Sequence, residues 1–470
     1  MLNRTKIIAT LGPVSNNYDI ITQCVLNGVN VFRLNMSHYH NKQHVAESVD
    51  MIREVAHKEN IELGILMDIA GPKIRIQNNF PDLSVKKGDV LTIGFRDSDI
   101  LINTKLEFKS IGNGSKIKID DGKISFNVLK KNRSNQLEIE SESDAQIISN
   151  KGVNFPNIVL DVPVLTDKDI NDIKTGVNLD VDWFALSFVR SAEDINFVNK
   201  VLESCKTSKP IIAKIEKPEA VDDLKSIIQV FDGVLIARGD LGVEMGFEMV
   251  PIIQRKIVRA CHKYGKPVIL ATQMLESMIY NDSPTRAEVN DVAVAVEQSC
   301  DAVMLSAETT IGKFPVETIK MMQSIIMKIE DDISEYSDYK GLKSSSIDEL
   351  DIQSSICYSA SRISNRLGID TIIAMTESGS SALSIASCRP KSKIIAMSPN
   401  KAVCKKLSLI WGLNTVLVED FKDTDEMIRK VENQLVKNKI LEKGSQYVMI
   451  AGVPVGVSGT TNLIRVETIN

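Results

Sequence analysis

Nowhere in its 470 residues does the chain keep apolar side chains together long enough to span a bilayer. The N-terminal stretch MLNRTKIIATLGP sets Arg4 and Lys6 against a short apolar run that ends at a Gly-Pro turn, so it reads as neither a secretory h-region nor a spanning helix. Cysteine pairing is also missing. Cys24, Cys205, Cys261, Cys300, Cys357, Cys388 and Cys404 form no CxxC pair and no regular framework, which fits a reducing compartment and places the chain in the cytoplasm. Charge of one sign is absent too: the net charge is −5 with acids and bases interspersed, which leaves no electrostatic footprint for nucleic acid or membrane. A single core is excluded by length, since cores stop growing at roughly 250 to 300 residues, and two or three domains are expected.

What is present is a rhythm. Short apolar runs recur at 6–12, 29–35, 63–69, 182–188, 210–216, 233–240, 267–273 and 302–308, with amphipathic stretches such as Ala192–Cys205, Pro218–Gln229 and Pro251–Tyr264 between them. Buried parallel strands covered by helices have this signature, and eight units predict a (β/α)8 TIM barrel; the periodicity alone is equally that of an open doubly wound sheet. Between Pro72 and Val164 the pattern changes to strict alternation with turn signals (GDVLTIGF, SKIKIDDGKISFNVL, NQLEIESES), which predicts a small β-barrel inserted after the third strand. A polar, serine-rich linker at 330–351 precedes further strand and helix patterns. The expected division is therefore 1–72 with 163–335 for the barrel, 73–162 for the insert and 345–470 for a C-terminal α/β domain.

The segment VLIARGDLGVE, 234–244, runs apolar and then breaks into charge, and most of the other runs also end in polar residues. Arg33 and Asn35 end the second, Asp68 the third, Lys214 and Glu216 the fifth, Asp240 the sixth, Thr272 the seventh, and Ser306 with Glu308 the eighth. Active sites of barrels lie at the carboxyl ends of the strands, and residues two apart on a strand share a face. Glu216 and Asp240 are the expected ligands of a divalent ion, with Arg33 and Lys214 facing an anionic substrate. RGD as an adhesion tripeptide is set aside, because it ends an apolar strand. His40 and His44 of HYHNKQH are expected on a solvated helix face and His38 near the site, and Asp120 and Asp121 in a hairpin turn.

TKIIATLGP, VNVFRLNMSH, DIAGPKIR, IDDGKIS, NKGVN, AKIE, ARGDLGVE, ATQMLESM, SPTRAEVNDVA and MLSAETTIGKFP, in that order, resemble the pyruvate kinase family over nearly the whole chain. The resemblance implies phosphoryl transfer from phosphoenolpyruvate to ADP, giving pyruvate and ATP, with Mg2+ or Mn2+ on Glu216 and Asp240 and a cytoplasmic homotetramer. It implies that Arg33 grips the phosphoryl group and that Lys214 neutralises charge in transfer. The amides of Gly239 and Asp240 would receive the substrate carboxylate, and Thr272 would stand where the enolate is protonated. Nucleotide contacts would come from Asn35, His38, Arg75 and Lys151. Other readings of the same mouth are a metal-dependent lyase or aldolase on pyruvate-like substrates and a non-catalytic metabolite sensor.

Two stretches depart from the better-known members. Those hold K+ with groups matching Asn35, Ser37, Asp68 and the carbonyl of Ile69, next to a glutamate; here Lys73 takes the glutamate's place, so a tethered ammonium is expected to make K+ unnecessary. In MTESGSSALSIA, 375–386, a strand runs into Thr376, Ser378, Gly379, Ser380 and Ser381 and then a helix, which offers hydroxyls and free amides to a phosphorylated sugar effector. Facing it is the glycine-rich loop 451–462. Similar members answer to monophosphates and carry arginine where Ser380 stands, so weak activation by a monophosphate is expected.

Overall fold

The computed structural model describes residues 3–39, 41–108, 110–132, 135–336, 351–454 and 461–469; His40, most of the expected linker and the middle of the 451–462 loop lie outside them. The eight apolar runs close into a barrel. Around it run Lys6–Thr10, Ala302–Leu305, Val268–Ala271, Gly233–Ala237, Ile211–Ile215, Trp183–Leu186, Gly64–Ile69 and Val29–Asn35, which returns to the first. Every neighbouring pair is parallel. Both faces of these strands are buried, by the helices outside and by Ile8, Val31, Leu66, Ile212, Leu235 and Ile269 packed inside, which is why their sequences run apolar without alternation.

Seven of the eight expected runs form shorter strands, and two expected elements depart for a reason visible in the structure. The fourth strand stops at Leu186, because Phe188 takes a left-handed φ of 57° that no strand can continue through. The helix expected over Pro218–Gln229 is two helices, Pro218–Asp222 and Leu224–Val230. Asp223 breaks it, its carboxylate accepting the Ala192 N–H at 2.8 Å.

The insert leaves the barrel after the third strand and builds a six-stranded sheet in the order Val153–Asn154, Lys116–Ile119, Ile124–Lys131, Leu137–Ser141, Val90–Gly94 and Ile100–Leu101. Along Leu137–Ser141 burial alternates, and the inward residues, Phe126, Leu137 and Ile139 among them, form a core of their own. Its outgoing and returning segments are zipped together where Arg75 bridges Gly152 and Val153 donates to the Ile74 carbonyl.

At the C-terminal end a five-stranded sheet runs Leu413–Leu417, Lys393–Ser398, Thr371–Met375, Gln446–Gly452 and Thr461–Thr468, the last strand antiparallel. It packs under the N-terminal end of the barrel, opposite the mouth. The indole of Trp183 donates to the Lys406 carbonyl at 3.1 Å, Lys6 Nζ to the Leu413 carbonyl at 2.7 Å, and Arg389 pairs with Asp301 at 3.0 Å.

Candidate active site

Four charged side chains at the barrel mouth form one buried network. Arg33 ends the second strand and lays its Nε and Nη2 on Asp68 Oδ2 at 2.8 and 2.7 Å. Registry puts Asn35 beside Asp68 on the neighbouring strand, so the arginine two residues earlier shares the carboxylate's side of the sheet. Lys214 Nζ sits between Asp68 Oδ1 at 3.1 Å and Glu216 Oε1 at 3.0 Å, and donates to the Ser187 hydroxyl at 2.6 Å. Burial by itself would raise the Asp68 carboxyl, but Lys214 and Arg33 more than offset it and hold it below the usual carboxylate range. For Lys214 burial favours the neutral amine; Asp68 and Glu216 win and keep the ammonium charged.

Glu216 lies just past the fifth strand, and its second oxygen accepts the Phe188 N–H at 2.8 Å. Burial raises its carboxyl; Lys214 opposes this, the negative charge of Asp240 adds to it, and the balance stays above the usual range. Asp240, in the first turn of the helix Arg238–Met245, meets Lys73 Nζ at 2.9 Å; burial would raise its carboxyl, but Lys73 together with Lys214 and Lys217 lowers it. These two acids, whose charges feel one another, could together hold an ion that leaves its other positions to water and substrate. Among the described residues no group of three or more His, Cys, Asp or Glu side chains gathers into a fuller cage.

Thr272 closes the seventh strand with φ of 71°, and its hydroxyl accepts the Gly239 N–H at 2.9 Å. That amide, expected to face a substrate carboxylate, is already engaged, so in this state Thr272 and Gly239 form one unit. Arg238 turns away from the mouth to Asp291 and to the carbonyls of Ala271 and Thr272, bracing the seventh strand. Glu308 does similar work on the eighth, accepting the N–H groups of Ser306 and Leu275.

The other expected site residues fall into separate places. Asn35 accepts the Ser37 N–H at 3.2 Å, and the His38 N–H bonds the Asn35 carbonyl. Ile69 ends the third strand. Lys73 does not join the group of Asn35, Ser37 and Asp68; its ammonium goes to Asp240. Arg75 and Lys151 lie at the root of the insert, Arg75 on the Asn150 carbonyl and Lys151 on Asp120 at 2.7 Å. Asp120 and Asp121, both at φ 54°, make the hairpin turn, and His44 is exposed on the helix Lys42–Lys58. Far away, Thr376 accepts the Gly379 N–H, Ser380 donates to Gln353, Ser381 bonds Thr461, and Ser378 lies in the same loop ahead of the helix Ser380–Ser387. Ser187 and the Phe188 amide escaped sequence reasoning. Nothing about a serine behind an apolar run announces that it will join an aspartate to a lysine.

A closed parallel barrel with two lysines and an arginine among two buried carboxylates and a partly buried third at its mouth defines an enzyme that handles a small, highly charged anion by electrostatic means, as phosphoryl transfer requires. Residues 2–319 match the family model "Pyruvate kinase, barrel domain" and residues 354–467 "Pyruvate kinase, alpha/beta domain". The chain is 39% identical to "Pyruvate kinase 2" of Synechocystis sp., covering 99% of this chain and 79% of that one. It is 38% identical to the pyruvate kinase of Methylorubrum extorquens (98% and 97%) and 37% identical to that of Clostridium perfringens (100% and 100%). The chain belongs to the pyruvate kinase family. It is a phosphotransferase acting on phosphoenolpyruvate and ADP, and neither the lyase nor the sensor reading finds support. Among the described residues no helix is long and apolar enough to cross a membrane.

Proposed function

We propose that the network at the barrel mouth carries the transfer as follows. Arg33 and Lys214 donate to the phosphoryl oxygens, and Lys214 then answers the charge left on the enolate oxygen. Thr272 directs the water that protonates the enolate carbon, and Gly239 and Asp240 present backbone N–H groups to the substrate carboxylate as the Thr272 contact loosens. Glu216 and Asp240 would hold Mg2+ or Mn2+, an ion that when bound supplies Lewis-acid charge to the substrate's oxygens. Asn35, His38, Arg75 and Lys151 meet ADP as the insert closes.

The observation that carries this reading is the Lys214 ammonium, buried between Asp68 and Glu216 with Arg33 on the far oxygen of Asp68. The test is Glu216→Ala and Asp240→Ala, each removing one of only two protein carboxylates on the ion. Both are expected to abolish metal-dependent turnover with the fold intact by circular dichroism. Wild-type turnover in either would overturn the assignment.

Around this centre the reading extends to a chain divided at 72/73, 162/163 and 335/345 and working in the cytoplasm. Lys73 is read as bringing to the mouth the positive charge that K+ brings elsewhere, from its place on Asp240 and not from among Asn35, Ser37, Asp68 and Ile69, and on this reading that group needs no ion. A sugar monophosphate binds weakly at Thr376, Ser378, Gly379, Ser380 and Ser381. A homotetramer is favoured by exposed apolar side chains such as Phe247 (61%), Ile252 (52%) and Ile352 (72%), and by the outer edge of Thr461–Thr468, the last strand of its sheet.

A further inference from the structure

Two motif ends have no part in the chemistry above: Asn154, which closes NKGVN, and Glu244, which closes ARGDLGVE. They meet. Glu244, with 1% of its side chain exposed, accepts on one oxygen from Asn154 Nδ2 at 2.8 Å and from Lys217 Nζ at 2.6 Å. Each partner comes from a different part of the machinery. Lys217 directly follows Glu216, Glu244 lies one turn past Asp240 on the helix Arg238–Met245, and Asn154 is on the strand by which the insert returns to the barrel.

That helix is the seat of the insert in other ways too. Lys118, the residue paired with Asn154 in the insert's sheet, donates to the Val243 carbonyl at 2.9 Å. Lys73, on the outgoing segment, reaches Asp240. Three polar contacts therefore fix the root of the insert along the one short helix that carries an acid of the centre. Asn154 and Glu244 are both buried, so a lost hydrogen bond there leaves an unpaired polar group and is not replaced freely by water.

We propose that Asn154, Glu244 and Lys217 form a latch that sets the inserted sheet against the barrel mouth, and that Asn154 and Glu244 are positioning residues for the nucleotide. The reach of the latch follows from the ladder. Lys151 is three residues before Asn154, its carbonyl takes the Ile76 N–H, and Arg75 bridges Gly152, so both cations ride on the segment that Asn154 anchors. The proposal rests on the reading of Arg75 and Lys151 as nucleotide contacts. Arg33, Lys214 and Thr272 sit on barrel strands or just past them, and Gly239 and Asp240 lie in the first turn of the helix Arg238–Met245, a turn before Glu244, so phosphoenolpyruvate should feel the latch much less than ADP does.

The experiment measures initial rates of the full chain against ADP at saturating phosphoenolpyruvate, and the converse. Variants are Asn154→Asp, which sets a second carboxylate against Glu244; Asn154→Asp with Glu244→Gln, which restores the hydrogen bond with donor and acceptor exchanged; Lys118→Ala; and Lys151→Ala as reference. Asn154→Asp is expected to raise the KM for ADP about tenfold, roughly 1.4 kcal/mol, with the KM for phosphoenolpyruvate within about twofold. The double variant should return to within about threefold of wild type, and Lys118→Ala should raise the KM for ADP about threefold. A merely structural role would move both constants together or leave the double variant no better than the single one, and either result overturns the latch. If Lys151→Ala weakens ADP and Asn154→Asp does not, the latch is wrong and the nucleotide reading stands. If Lys151→Ala leaves ADP unaffected, the nucleotide reading itself has failed. Should Asn154→Asp not fold, an unchanged KM for ADP in Lys118→Ala overturns the proposal by itself.

Discussion

Lys214→Met removes one ammonium and keeps the length of the side chain. In the resting site that ammonium has three partners within 3.1 Å, Asp68, Glu216 and Ser187, all of them buried. On the proposed mechanism its catalytic weight comes later, when charge builds on the transferring group and the enolate oxygen. A fixed donor aimed at developing charge in a water-poor site is worth about 10²- to 10³-fold in kcat, or about 2.7 to 4 kcal/mol. On the same proposal Arg33 and a divalent ion would still hold the ground-state phosphoryl group, so the KM for phosphoenolpyruvate should move less than about threefold. Stability falls as well, because Asp68 and Glu216 lose the cation between them and breaking such a buried pair costs about 3 to 5 kcal/mol. The assay is pyruvate formation coupled to a dehydrogenase, run well below the variant's own melting temperature and scaled to folded enzyme by circular dichroism. A raised KM with kcat untouched would refute the reasoning, since it would make Lys214 a binding residue only.

The potassium reading predicts equal activity in KCl and in a large organic-cation salt at matched ionic strength, with Lys73→Glu creating a requirement for K+; many-fold activation of wild type by K+ would sink it. At the C-terminal loop, ribose 5-phosphate or glucose 6-phosphate titrated at sub-saturating phosphoenolpyruvate should activate weakly and fructose 1,6-bisphosphate hardly at all. Ser380→Arg should sharpen the monophosphate response, because a charge-assisted hydrogen bond contributes about 1.5 to 3 kcal/mol. Strong activation by the bisphosphate at micromolar concentration would contradict that assignment. Under the barrel, burial brings the Lys6 ammonium from 10.5 down to about 8, against the pull of Glu330. The folded chain then sheds this proton before the unfolded one does, so Lys6 costs stability below about pH 8 and the cost fades as pH rises toward 10.5. At about 1.36 kcal/mol per pH unit the full cost is roughly 3 to 4 kcal/mol, less what the Leu413 hydrogen bond returns. Lys6→Met should melt higher than wild type at pH 7 and lose that advantage by pH 10; a constant difference across the range would be the wrong outcome.

The barrel could be read from the chain because a parallel strand buried on both faces has nowhere to put a polar residue except at its end. Arg33, Lys214 and Glu216 were visible for that reason, each standing out against an apolar run. The inserted sheet announced itself through alternation along NQLEIES. Less was legible where geometry depends on one backbone angle or on distant segments. Phe188 at φ 57° turns its N–H to Glu216, and no propensity signals that. Lys73 was singled out for its charge, but its meeting with Asp240 across 167 positions depends on how the insert leaves the barrel. The same holds for Asn154 and Glu244, separated by 90 positions and joined only by the seating of the insert. Asp223 shows the limit in a helix: its neighbours carry helical periodicity, and a single side-chain bond to the Ala192 N–H divides them.

The central claim is that these residues transfer a phosphoryl group from phosphoenolpyruvate to ADP. Its most direct measurement follows pyruvate and ATP together from the purified chain supplied with phosphoenolpyruvate and Mg2+, with and without ADP. The account predicts pyruvate and ATP in equal amounts when ADP is present and no pyruvate when it is left out. Pyruvate released at the same rate without ADP, or an intact fold that turns over neither substrate, would contradict it.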